Sequence, residues 1–152
     1  MVMEGIIDSL YVNRELHSEL FIPICTKYKM TKTELLVLLF LSENSEYDTA
    51  SHIVKELKIA KSHVSASVRE LEERGYLQGS YEGDNHRTIH LRLCSNAAEI
   101  ISAASKAMDE YLSIIWRGFT EEEVKTLEKY IRRINDNAND YLIEQKRSLT
   151  AK

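Results

Sequence analysis

Apolar residues along this chain recur at steps of three and four over most of its length, and at steps of two over one short stretch. From Glu4 to about Phe21, the positions Ile6, Ile7, Leu10, Leu16, Leu20 and Phe21 predict a moderately amphipathic helix. Pro23 should break or kink it by Ile22, because proline lacks a backbone donor and disfavours helical geometry in the residue before it. Thr31-Lys32-Thr33-Glu34 reads as a capping box directly before the apolar run Leu35 to Leu41, which favours a helix there over a buried strand. Ser42 to Asp48 is a loop, and Asp48 or Thr49 can cap a short helix carrying Ala50, Ile53, Val54 and Leu57. After a break at Lys58 to Ala60, a helix from about Lys61 to Arg74 turns Val64, Val68 and Leu71 to one face and stops at Gly75.

Beyond Gly75 the period falls to two. Tyr76, Leu77 and Tyr81 precede Glu82-Gly83-Asp84-Asn85, and Ile89, Leu91 and Leu93 follow it, which predicts a hairpin with its tip at Gly83 to Arg87. Thr88, His90 and Arg92 alternate with the apolar positions and should point to solvent or to a polyanion. Two long helices complete the chain. The first starts at Ser95 or Asn96 and carries Ala97, Ile101, Ala104, Met108, Tyr111 and Ile115. The second starts at a capping box, Thr120 to Glu123, and carries the seam Val124, Leu127, Ile131, Ile134, Ala138 and Tyr141, with fraying expected from Gln145. A helix of about 22 residues spans about 33 Å, longer than a small core can cover, so the seam, with Leu10, should meet a second subunit. The expected fold is mainly α with a small β-hairpin wing. A winged helix-turn-helix lobe over residues 31–94 lies between an N-terminal dimerisation helix and connector, 1–30, and C-terminal dimerisation helices, 95–152.

Composition narrows the function. Among 152 residues, one proline and five glycines agree with a helical chain. The longest apolar run, seven residues, is far short of the roughly 20 that cross a bilayer. The amino end shows no basic, apolar, small-residue succession, so no secretory signal is readable. Cys25 and Cys94 are too few for a disulfide framework and lack metal-ligand spacing, and a cytoplasmic location is expected. The histidines also lack zinc spacing. No Gly-rich phosphate loop or nucleophile elbow is present, so neither a cofactor nor an enzymatic activity is expected.

The net charge of −4 opposes a nucleic-acid partner until its distribution is considered. Residues 51–92 alone are net positive, with seven basic and six acidic side chains, and hold four of the five histidines. On the helix from Lys61, the face opposite Val64 and Leu71 presents Ser62, Ala66, Arg69 and Glu73, flanked by His63 and Ser65. Acids enter only from Glu70, so the amino-terminal half can approach a duplex. Lys61 and the helix amino end suit a phosphate, and Ser62, Ser65 and Arg69 suit base edges. The competing reading is a winged helix serving protein interaction or assembly without DNA reading, which the acidic balance would suit.

The stretches TKTELLVLLFL, ASHIVKELKIAKSHVSASVRELEERGYL and NHRTIHLRL resemble the MarR family of bacterial transcription regulators. The resemblance covers residues 31–94 in motif detail, and the order of the flanking helices extends it to nearly the whole chain. It implies a homodimeric regulator of double-stranded DNA, a repressor responsive to an effector or to stress, bound to an inverted repeat. The family's Asp-x-Arg wing signature falls on Asn85-His86-Arg87, so the resemblance makes Arg87 the minor-groove residue, with His86 beside it. Three departures stand out. The signature acid is Asn85, with Asp84 one place earlier as the nearest carboxylate to orient the arginine. Leu93-Cys94 replaces the Leu-Thr that ends the wing, with Ala97 where a glycine often follows, and Ala66 stands where relatives are often basic. The resemblance also implies release of DNA by a small aromatic or lipophilic effector or by cysteine oxidation. Phe21, Tyr28, Tyr111, Trp116 and Phe119 are either the lining of an effector pocket or plain core. Cys25, close to Lys27 and Lys29, is either a redox sensor with a lowered thiol pKa or a buried inert thiol.

Overall fold

The computed structural model describes residues 2–83 and 85–150; of the side chains among these, those of 2–7, 82, 85, 86 and 150 lie outside the description. The order is α1 (Val2–Tyr28), α2 (Lys32–Glu43), α3 (Ala50–Leu57), α4 (Lys61–Glu73), β1 (Leu77–Glu82), β2 (Asn85–Leu93), a 3₁₀ turn (Ser95–Ala97), α5 (Ala98–Ile115) and α6 (Glu121–Thr150). Residues 1–112 and 113–152 form two compact units. This is the mainly α architecture with a two-stranded wing that the hydrophobic pattern predicts.

In the first unit α2 is central. Leu35, Val37, Leu38, Leu39, Phe40 and Leu41 are all buried, so this helix is enclosed nearly all round. Around it lie Phe21 of α1, Ile53 of α3, Val64 and Leu71 of α4, Leu77 and Leu91 of the hairpin, and Ile100 and Ala104 of α5. The capping box forms as read: Glu34 N–H donates to Thr31 Oγ1 at 3.2 Å, and Thr31 N–H donates to Glu34 Oε2 at 3.1 Å. Thr49 caps α3 by accepting from His52 N–H.

Four expectations need correction. First, α1 does not break at Pro23 but runs on to Tyr28. Pro23 and Glu19, whose carbonyl loses a donor, both lie on the exposed side, where water can serve that oxygen, while fully buried Phe21 anchors the helix. The helix ends instead at Lys29, at φ +50, with Met30 N–H donating to the Cys25 carbonyl and Lys29 N–H to that of Thr26. Second, α5 buries Ile100 and Ala107 beside the expected Ala104, so its buried face lies one step from Ile101 and Met108, which are only partly buried. Third, α6 remains helical through Gln145 to Thr150. Fourth, His90 does not point to solvent, as described next.

Candidate nucleic-acid interface

The helix that sequence assigns to DNA is α4. Its inner face is Val64, Ser67 and Leu71, with Val68 half-buried, so a serine joins the face predicted to be purely aliphatic. Lys61, Ser62, His63, Ser65, Ala66 and Arg69 are all exposed, and so are Glu70, Glu72 and Glu73 at the far half. No side chain caps the amino end at Ala60, which leaves the first amides of α4 available as donors to an anion. Lys61 and Ser65 border a notch against Ala50, Ser51 and Val54 of α3. His63 and Ala66 face an open groove of about 520 Å³ toward Thr31 and Thr33 at the start of α2.

The carboxyl end of α4 is fastened on two sides. Gly75, at φ +72, stops the helix, with Tyr76 N–H donating to the Leu71 carbonyl at 2.8 Å. Arg74 reaches α1: its guanidinium donates to the Tyr28 carbonyl at 2.6 Å and to the Lys29 carbonyl at 2.9 Å, lies 3.8 Å from Glu34 Oε2, and covers the Tyr76 ring. Glu72 reaches the wing, its Oε1 accepting from Gly79 N–H at 2.9 Å.

In the wing, β1 and β2 pair antiparallel from Leu77 opposite Leu93 to Tyr81 opposite Ile89, after which Glu82 pairs with Asn85. The register thus shifts between Tyr81 and Glu82, and Arg87 lies beyond that irregularity on β2, exposed. Asp84 lies outside the described residues, as do the side chains of Asn85 and His86, so the orienting acid and the histidine of the signature are not placed. His90 turns inward: Nδ1 is 2.9 Å from Asp48 Oδ1 and 3.0 Å from Oδ2. Asp48 also accepts through its carbonyl from Leu91 N–H at 2.7 Å. This aspartate just ahead of α3 therefore holds β2 by backbone and side chain together.

The remaining candidates separate. Phe21 is core, and His17 stacks on it at 4.1 Å while meeting Tyr111 edge-on at 5.4 Å. Tyr28 donates its hydroxyl to Glu99, which Lys27 also pairs at 3.1 Å. Trp116 and Phe119 meet each other edge-on. The expected lowering of the Cys25 thiol pKa is reversed: burial pushes it up, and the cation that opposes this is Lys32 rather than Lys27 or Lys29. Lys27 turns elsewhere, onto Glu99 and the Tyr28 ring. Leu10, Leu127, Ile131, Ile134 and Tyr141 are exposed, and Val124 is half-buried.

Glu72, Arg74 and Gly79 were not singled out by sequence, and Asp48 was read only as a possible cap of α3, a place that Thr49 takes. Gly79 carried a usable signal, since a glycine inside a strand often marks the close approach of another group. The other three act across elements and left no local pattern.

Residues 28–84 match the model of the MarR family. The HTH-type transcriptional regulator BilQ of Clostridioides difficile (strain CD3) is 22% identical over 125 residues, which is 82% of this chain and 84% of that protein. A MarR family transcriptional regulator from Listeria monocytogenes, solved in complex with a 26mer DNA, aligns with a TM-score of 0.77 at 21% identity over 93% of each chain. Bordetella bronchiseptica BpsR, whose DNA binding is regulated by 6-hydroxynicotinic acid, aligns with a TM-score of 0.66 at 16% identity over 86% of this chain and 98% of that one. The MarR resemblance read from the motifs is thus matched by a family model over residues 28–84, and the solved structures share the fold. No helix among the described residues is long and apolar enough to cross a membrane.

Proposed function

We propose that this chain, with the winged lobe of the MarR family, is a homodimeric, sequence-specific DNA-binding transcription regulator, a repressor that binds an inverted-repeat operator with half-sites about one DNA turn apart. The observation that carries the reading is the amino-terminal half of α4, where Lys61, Ser62, His63, Ser65 and Arg69 all stand exposed and the acids begin only at Glu70. Lys61 and the uncapped amides take phosphate, Ser62, Ser65 and Arg69 take base edges in the major groove, and Arg87, with His86 beside it, takes the minor groove. Asp84 or Asn85 orients that arginine. The relatives' names and the DNA complex among the similar structures support this assignment.

Regulation follows the same analogy. BpsR responds to an aromatic acid, and a small aromatic or lipophilic effector suits this chain if it prefers the released geometry over the bound one. Cys25, with its thiol pKa raised by burial, is a weak site for oxidant sensing.

Selection of duplexes from a random pool by the purified protein, repeated with phenolic ligands and with an oxidant, tests all of this. On the recovered duplex, Arg87→Ala should weaken binding for most sequences and lower the salt slope by about one. Substitutions at Ser65 or Arg69 should instead change which sequence is recovered. Parent-like binding by Arg87→Ala at several salt concentrations would remove the wing from the interface. Failure to enrich any duplex would favour the protein-interaction reading.

A further inference from the structure

The two edges of the wing are held at one rung. Gly79 of β1 stands opposite Leu91 of β2. Leu91 N–H turns away from β1 to reach the Asp48 carbonyl at 2.7 Å. Opposite residues in an antiparallel ladder either exchange both hydrogen bonds or neither, so Gly79 N–H also turns outward. There it meets Glu72 Oε1 at 2.9 Å. A Cβ at position 79 would lie 2.7 Å from that oxygen and 2.8 Å from Ile89 Cγ2, so the helix carboxylate reaches the strand only because the residue is glycine. One rung on, toward the tip, His90 joins Asp48. Past Tyr81 the register shifts, and Arg87 lies beyond that irregularity, toward the tip.

We infer that Glu72 is a positioning residue for the wing: its bond to Gly79 fixes the pitch of the ribbon against α4, and with it the reach of Arg87 relative to the exposed residues of that helix. A two-stranded ribbon is marginal by itself in water, so its direction must come from contacts at its base. The bond accounts for a carboxylate on a helix that, under the DNA reading on which this inference rests for its consequence, meets a polyanion. An acid there repels phosphate, so its presence calls for a role other than contact with the duplex.

Glu72→Gln and Glu72→Ala both remove the charge, and only glutamine keeps an acceptor. In the full-length protein without DNA, amide hydrogen exchange at Gly79, read by nuclear magnetic resonance, should be about fivefold slower in E72Q than in E72A, the worth of the one neutral hydrogen bond that glutamine keeps. On a duplex selected by the parent protein, E72Q should bind at least as tightly as the parent. E72A should bind about fivefold more weakly than E72Q, losing hydroxyl-radical protection under the wing while keeping methylation protection in the major groove. Equal Gly79 exchange in the two variants shows that the bond does not hold the ribbon, and equal affinities and footprints show that it does not place Arg87; either result overturns the inference. If the parent binds no duplex, the DNA reading falls, and the exchange comparison still decides whether Glu72 sets the ribbon.

Discussion

Arg74 donates from both terminal nitrogens to the carbonyls of Tyr28 and Lys29, at 2.6 and 2.9 Å, with its side chain only 25% exposed. Those oxygens belong to the end of α1, where the last carbonyls of a helix have no partner of their own. The planar guanidinium reaches both from two nitrogens held in a fixed fork, a geometry that the single nitrogen of a lysine does not reproduce. Arg74→Lys should therefore lower the stability of the lobe by about 1–3 kcal/mol, the range for charge-assisted hydrogen bonds lost at a half-buried site. Thermal melting that leaves Tm unchanged would show that water replaces the guanidinium without loss. The residue sits in the same Leu-Glu-Glu-Arg-Gly stretch that carries the family resemblance, yet its role was not legible there. Val64 and Leu71 announce their burial by spacing within one helix, whereas the carbonyls that Arg74 serves lie 45 and 46 residues earlier in the chain.

Between α1 and α5 the contact is aromatic and titratable. His17 stacks on Phe21 and meets Tyr111 edge-on, and its buried Nδ1 has no hydrogen-bond partner among the described residues. Burial first, and the charge of Lys32 second, hold its pKa below the ordinary 6.5. The unfolded chain takes up this proton at the ordinary pKa and the folded chain only at lower pH. Stability is therefore full above the unfolded value, falls as pH drops below it, and stops falling once the folded pKa is passed. His17→Phe keeps the stacking and cannot be protonated, so the drop in Tm between about pH 7 and about pH 5 should be shallower in the variant than in the parent. Parallel pH profiles for the two proteins would assign the dependence to other groups. At this scale, sequence was informative wherever the signal is local: both capping boxes, Thr31 with Glu34 and Thr120 with Glu123, form as their spacing requires. It failed where packing overrides local preference. Pro23 is carried inside α1 because it lies on the exposed side while Phe21, two residues before it, is anchored in the core, and the buried face of α5 is set by what it packs against rather than by its largest residues.

For the whole molecule the question is what covers α6. This helix runs 30 residues from Glu121 to Thr150, about 45 Å at about 1.5 Å per residue. Leu127, Ile131, Ile134 and Tyr141 follow one another along it at steps of four, three and seven, yet they are 38%, 47%, 60% and 62% exposed in the single chain. Leu142 and Leu149 continue the same face and are exposed as well. A stripe of this length on a monomer would be an association surface left uncovered. A seam with a mean period near 3.5 suits the same seam on another helix, and a second copy of this chain supplies one by symmetry. Leu127→Asp combined with Ile134→Asp puts two carboxylates into that seam while leaving the surface of a lone helix only more polar. If a second copy is the partner, the double variant should sediment as a monomer, keep the ellipticity of a folded lobe, and lose affinity for the two-half-site duplex that the parent selects. Binding to one half-site would persist weakly, since each winged lobe carries its own α4 and Arg87. An unchanged dimer by sedimentation would refute the seam through Leu127 and Ile134 and require a different surface for association.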